Sequence, residues 1–228
     1  MRERALIHVA GPPGSGKTTF VEAMLSAGGG PILAARCIRD DALRQARETA
    51  PVTHPELRRY RQAGASGVAL FTFPENDLGS DAFFVTNLMT DYSRAVLLEG
   101  DNPLGFTDLA VFVAPAPADD EALFVRRTRN LVATKRARAA IAERYAGIQH
   151  AQLVVVNIRS ESERKRGEQI VADVVRLRKE EDLYDDILGF CGSRIPITAV
   201  VANLTDPDDP GRKKALARAR RALRSRSS

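Results

Sequence analysis

The stretch that most constrains this chain is "GPPGSGKT", Gly11 to Thr18. It satisfies every fixed position of G-x-x-x-x-G-K-[ST] and stands between apolar "LIHVA" and helix-patterned "TTFVEAML". A strand, a tight loop and a helix over about residues 17–26 are therefore predicted. Gly11, Gly14 and Gly16 let the backbone wrap with N–H groups pointing inward. Lys17 is locally unfavourable there, because a cation at a helix N-terminus meets the positive end of the dipole. A bound phosphate reverses the sign of that argument. The loop residues Gly11, Pro12, Pro13, Gly14, Ser15 and Gly16 would then wrap a nucleoside triphosphate. Lys17 would bridge its β- and γ-oxygens, Thr18 would offer a hydroxyl to Mg²⁺, and Thr19 would sit beside them at the helix start.

The rest of the chain repeats the same alternation. "PILAARCI", "GVALFTF", "RAVLLEG", "DLAVFVAPA", "QLVVVNI" and "ITAVVANL" join "ALIHVAG" as seven short, continuous apolar runs. Strands of a parallel sheet covered on both faces read this way, whereas a half-exposed antiparallel sheet alternates. Helical patterns separate them: a turn or two at "DDALRQARE", then "HPELRRYRQAGA", residues 80–93, and an arginine-rich segment over 119–146. Ser160 and Glu163 form an S-x-x-E capping box before a helix carrying Ile170, Val174 and Leu177. The fold class expected is α/β: a doubly wound, mostly parallel sheet with helices on both faces, as in P-loop nucleoside triphosphatases. No repeat and no linker interrupts the pattern, so residues 1–228 read as one domain.

Charge matters only for its distribution. The net charge is +5, yet residues 211–228 hold eight basic and no acidic side chains. Without them, 26 basic residues face 29 acidic ones, a body of about −3. The basic character belongs to a C-terminal helix at about 211–226, with Ala215, Leu216, Ala219, Ala222 and Leu223 on one face for packing. This argues against nucleic acid as a partner. No run approaches 18 uncharged apolar residues, so no membrane span is expected, and the N-terminus lacks the pattern of a signal peptide. Cys37 and Cys191, far apart and outside any C-x-x-C, fit reduced thiols and a cytoplasmic location.

Two acidic positions are candidates to serve the cation. Glu99, with Asp101 close behind, follows the apolar run of "AVLLEGDN" and could hold Mg²⁺ or orient the attacking water. Asp40 and Asp41 follow the second strand; Asp41 or Asp40 is the candidate switch carboxylate, and either also suits a helix N-cap. Lys17, Asp41 and Glu99 are thus the catalytic candidates, and Thr18, Asp41 and Glu99 the Mg²⁺ candidates.

In these residues the chain resembles the metal-enzyme maturation GTPases of the SIMIBI class of P-loop NTPases, nearest the urease accessory and hydrogenase nickel-incorporation GTPases. The blocks run in the same order: "GPPGSGKTT", "RDDA", "LLEGDNPLGFTDLAVFVAP", "LVVVNIRS", "AVVANLT". "HPELRRYRQAGASGVALFTF" is similar to the molybdopterin guanine dinucleotide accessory protein. The resemblance implies slow, Mg²⁺-dependent GTP or ATP hydrolysis, a nucleotide-dependent homodimer and a protein partner served as a switch or assembly factor. Two departures qualify it. The Cys–His metal motif of the metallochaperones is replaced by "FPENDLGSD". The guanine-reading N-K-x-D keeps Asn157 but has Ile158 for the lysine and Ser160 for the aspartate. Asn203 and Asp206 of "NLTD" offer another N-x-x-D one strand later, so Asn157 and Asn203 are both candidates at the base, and GTP and ATP stay open.

Arg126, Arg127, Arg129, Lys135, Arg136, Arg138 and Arg144 make either a solvated helix face, a partner surface or a source of arginine for the phosphates. His8, His54 and His150 lie near no cysteine suited to share a metal with them. Two alternatives accompany the nucleoside triphosphatase reading: a small-molecule kinase using the same loop, and a nucleotide-dependent binding module with little turnover.

Overall fold

The computed structural model describes residues 5–28, 30–39, 47–49, 54–73, 95–100, 107–115, 151–177 and 197–224. Eight strands form one sheet: β1 (Leu6–Ala10), β2 (Ile32–Arg39), β3 (Arg47–Thr49), β4 (Gly67–Phe73), β5 (Ala95–Glu99), β6 (Leu109–Pro115), β7 (Leu153–Asn157) and β8 (Thr198–Ala202). Their spatial order is β3-β4-β2-β5-β1-β6-β7-β8. Seven strands run parallel, and β3 pairs antiparallel with β4 at one edge, Arg47 opposite Thr72. This is the expected doubly wound α/β sheet, with all seven predicted strands present.

The continuous apolar runs have the predicted cause. Every residue of β1 is buried, so both faces of the central strand are covered. One face carries Ile7, Val9, Leu97, Val111 and Val155, packed under α1 (Lys17–Ser26), α2 (Pro55–Gln62) and α4 (Pro210–Arg224). The other carries Phe112, Val154, Val156 and Val201 against Ile170 of α3 (Arg164–Leu177). Each large aliphatic side chain so buried contributes about 1.5–3 kcal/mol. Helix α3 approaches β8 closely: a Cβ on Gly167 would lie 2.8 Å from Val201 Cγ1. Helix α4 buries Ala215, Leu216, Ala219, Ala222 and Leu223; Lys213, Lys214, Arg221 and Arg224 are exposed, and Arg212, Arg218 and Arg220 are half-buried.

Two local expectations change. The end of "DDALRQARE" is strand β3, not helix; its backbone groups find partners along the free edge of β4, and that pairing outweighs helix propensity. Ser160 does not cap through its side chain, and its hydroxyl pairs with Ser162 Oγ at 2.7 Å. Glu163 reaches back to the Arg159 N–H at 2.6 Å, with a 3₁₀ turn at Glu161–Glu163 leading into α3. The helices expected over 80–93 and 119–146 lie outside the described residues.

The strand order places the site. β1 feeds α1, and the strands on its two sides, β5 and β6, come later in the chain. Ligands of open α/β sheets bind at such a reversal, beyond the carboxyl ends of the strands. Register sets Arg36, Glu99 and Val9 in one row across β2, β5 and β1, immediately below the loop that begins at Gly11.

Candidate nucleotide site

The loop from Gly11 to Gly16 is shaped by left-handed glycines. Gly11 has φ 143°, and a Cβ there would collide with the Val113 carbonyl. Gly16 has φ 104° and is the N-cap of α1; a Cβ there would collide with the Asn157 amide. Both positions are closed to side chains by space as well as by backbone angle. The first turn of α1 contains no acidic residue. Its positive end therefore faces the loop with its charge unopposed within the helix.

Lys17 is buried, and its ammonium donates to the Gly11 carbonyl and, at 3.2 Å, to the Pro12 carbonyl. It lies across the loop it belongs to. Ser15 is 1% exposed, and its hydroxyl has no hydrogen-bond partner among the described residues. A buried polar atom of this kind is costly unless something satisfies it, and a phosphate oxygen would.

Glu99 is brought to the same place. It is 1% exposed at the end of β5 and receives three donors. Thr18 Oγ1 lies 3.1 Å from Oε1, Arg36 Nη1 lies 2.7 Å from the same oxygen, and the Tyr60 hydroxyl donates to Oε2. Burial raises the carboxyl pKa, while the hydrogen bond from Tyr60 and the charges of Arg36 and Lys17 act against that rise. Tyr60 is fully buried in α2, and desolvation followed by the Glu99 charge pushes its phenol upward, so it stays a donor. Arg36 also pairs with Glu56 of α2. Helix α2 thus meets the carboxylate through two side chains, and Arg59 ties it to α1 by two bonds to Glu22, at 2.6 and 2.7 Å.

The two candidate base residues have different surroundings. Asn157 ends β7, donates to the Ser15 carbonyl at 2.9 Å and accepts from the Leu204 N–H at 3.2 Å. It fastens the phosphate loop to the end of β8. Asn203 accepts from the N–H and hydroxyl of Thr205, at 3.1 and 2.7 Å, closing a turn on itself. Asp206 accepts from the Asp208 N–H at 2.9 Å. The turn ends at Asp209, 3% exposed, which caps α4 by accepting from the Arg212 N–H at 2.8 Å and binds Arg164 Nη2 at 2.6 Å. Burial works against its charge, but the Arg212 N–H, the Arg164 guanidinium and the Asn203 N–H hold its carboxyl below the usual carboxylate range.

The structure therefore brings Lys17, Thr18 and Glu99 together, with Asn157 on the far side of the loop. Asp40, Asp41, Asp101, the basic residues of 119–146, residues 74–81 of "FPENDLGSD", His150 and Cys191 lie outside the described residues. Among the described residues no three His, Cys, Asp or Glu side chains gather as a metal cluster, and no helix is long and apolar enough to cross a membrane. Sequence reasoning missed Tyr60, Arg36 and Asp209. Tyr60 carried a signal: a lone aromatic three residues after Leu57 in a charged helix is an apolar body with a polar tip needing a partner. "DDP" also marked an N-cap followed by proline at the first helical position.

No protein-family model matches the sequence, and no curated protein matches it. Solved structures do. HypB from Helicobacter pylori in complex with nickel aligns over 98% of this chain and 87% of its own, at 12% identity and TM-score 0.46. The LAO/AO transport system kinase aligns over 98% of this chain and 63% of its own, at 12% identity and TM-score 0.42. The hydrogenase maturation factor HypB from Archaeoglobus fulgidus aligns over 96% of this chain and 90% of its own, at 14% identity and TM-score 0.58. Together with the sheet order and the loop at its reversal, this last match shows that the chain has the α/β fold of P-loop NTPases, in the form found in HypB.

Proposed function

We propose that this protein binds and hydrolyses a nucleoside triphosphate, GTP or ATP, with Mg²⁺, and that it works as a slow switch or assembly factor for a protein partner. The observation that carries the reading is the meeting of Thr18 and Glu99 at 3.1 Å beside a glycine-shaped loop and a buried lysine. Lys17 would leave the Gly11 and Pro12 carbonyls for phosphate oxygens. The helix N-terminus and the Ser15 hydroxyl would take others. Thr18 and Glu99 supply the hard oxygen donors that Mg²⁺ prefers, and the ion when bound would neutralise phosphate charge. A role in maturing a metal enzyme follows from the likeness to HypB alone and is proposed at that level. The nucleotide-dependent homodimer and the cytoplasmic location belong to the same proposal.

The test is release of inorganic phosphate from GTP and ATP with Mg²⁺. Wild type should turn over slowly, and Glu99→Gln should be slower by about a hundredfold while still binding nucleotide. Undiminished turnover in Glu99→Gln would remove Glu99 from the reaction. Phosphate appearing only when a small-molecule acceptor is added would favour the kinase reading.

A further inference from the structure

The carboxylate of Glu99 is held by side chains that no feature of the phosphate loop calls for. Its two oxygens are used unequally: Oε1 faces Thr18 and Arg36, and Oε2 faces Tyr60. Tyr60 comes from α2, a helix outside the strand–loop–helix unit, and among the described residues it is the largest of the fully buried side chains. Burying a phenol hydroxyl is costly without an acceptor, and a buried carboxylate is costly without donors, so each accounts for the other's place. The consequence is rotational. A carboxylate anchored at one oxygen from behind presents the other in a fixed direction, and that direction is the Thr18 hydroxyl.

We propose that Tyr60 is a positioning residue: from α2 it holds Oε2 of Glu99 so that Oε1 and the Thr18 hydroxyl are presented together to the cation that accompanies nucleotide. This rests on the reading of Thr18 and Glu99 given above. Tyr60 is not asked to touch nucleotide and acts through Glu99. Arg36 lies on Oε1 itself and pairs with Glu56 of α2, so its guanidinium occupies the oxygen that the cation would take. A disturbance of α2 would thereby reach the cation site without touching the loop.

The experiment is a thermodynamic cycle on the full chain, read as equilibrium binding of a fluorescent GTP or ATP analogue with Mg²⁺ and again with EDTA. The quantity of interest is the gain in affinity that Mg²⁺ confers. Tyr60→Phe keeps the ring and should bind nucleotide like wild type in EDTA. Its Mg²⁺-dependent gain should fall by about tenfold, the lower end of the effect of one hydrogen bond to a charged group. In a Glu99→Gln background the same change should have no further effect. A role confined to packing would give equal effects in both backgrounds and would overturn the proposal. Should Tyr60→Phe not yield folded protein, Tyr60→Leu, which also removes the hydroxyl, is read in the same cycle with the same expectation. A Glu99→Gln protein that keeps the full Mg²⁺ gain would overturn the cation reading, and this proposal with it. One that loses the gain while Tyr60→Phe keeps it would overturn this proposal alone.

Discussion

At the scale of single residues, the polar groups at the ends of β7 and β8 are already committed. Asn157 spans two backbone groups, Asn203 and Asp206 close their own turn, and the Ser160 hydroxyl pairs with Ser162. A neutral hydroxyl in place of a guanine-reading carboxylate contributes about 0.5–1.5 kcal/mol where a charged acceptor gives about 1.5–3. GTP and ATP should therefore differ in affinity by about tenfold or less in competition binding. A thousandfold preference for GTP, erased by Asp206→Asn, would move the base-reading role to the loop after β8. His8 offers a second residue-scale expectation. It is buried in β1, and burial, with the nearby Lys17 charge second, lowers its pKa to about 3. The folded imidazole stays neutral down to that pH, whereas the unfolded one gains a proton below 6.5. Unfolding thus takes up a proton, and stability falls as pH drops through this window, by about 1 kcal/mol over the first unit below 6.5 and about 1.4 kcal/mol per unit beyond it, from this group. Glu99, with its raised carboxyl pKa, opposes this near and above pH 4.5, and Asp209 acts below 3.8, so the interval from 6.5 to 5.5 isolates the histidine best. Urea unfolding of wild type should show that slope and His8→Leu should lack it; equal slopes would assign the effect elsewhere.

Elements are tied together by bridges of unequal worth. The Arg59–Glu22 pair joining α2 to α1 is half-exposed and should contribute no more than about 1 kcal/mol, so Arg59→Ala should barely move a thermal transition. Asp209→Ala removes the cap of α4 and the partner of Arg164 from a buried position and should cost about 2–3 kcal/mol. Equal midpoints for the two variants would contradict this ranking. The same contrast explains what could be read in advance. Strands β1, β2 and β4–β8 were legible because burial on both faces demands continuous apolar runs, and α4 because its buried face recurs at helical spacing. Strand β3 was not, since Arg47–Thr49 becomes a strand only by pairing with β4, a partner some twenty residues on. In the site, Lys17 and Thr18 were written into a local motif whose spacing is the chemistry. Glu99 was marked by its place at a strand end. Tyr60 and Arg36 were not marked as site residues, because only the register of β2 with β5 and the docking of α2 bring them to Glu99.

Over the whole molecule, one reversal of strand order organises what has been described. It puts β5 beside β1, so a carboxylate from residue 99 meets a hydroxyl from residue 18, and it leaves β6, β7 and β8 to carry Asn157 around to the other side of the loop. The basic face of α4 is remote from that logic; its helix packs by its apolar side on β8, and its charge accounts for the net +5. The central claim is that the loop from Gly11 to Thr18 holds the phosphates of a nucleotide. Calorimetric titration of the protein with GTP and with ATP, both with Mg²⁺, tests it most directly. Wild type should bind at least one of them at a single site, and Lys17→Ala should lose about 1.5–3 kcal/mol, roughly a ten- to hundredfold weakening, through removal of a charge-assisted contact. Equal binding by wild type and Lys17→Ala, or no binding of either nucleotide by a folded wild type, would contradict the account.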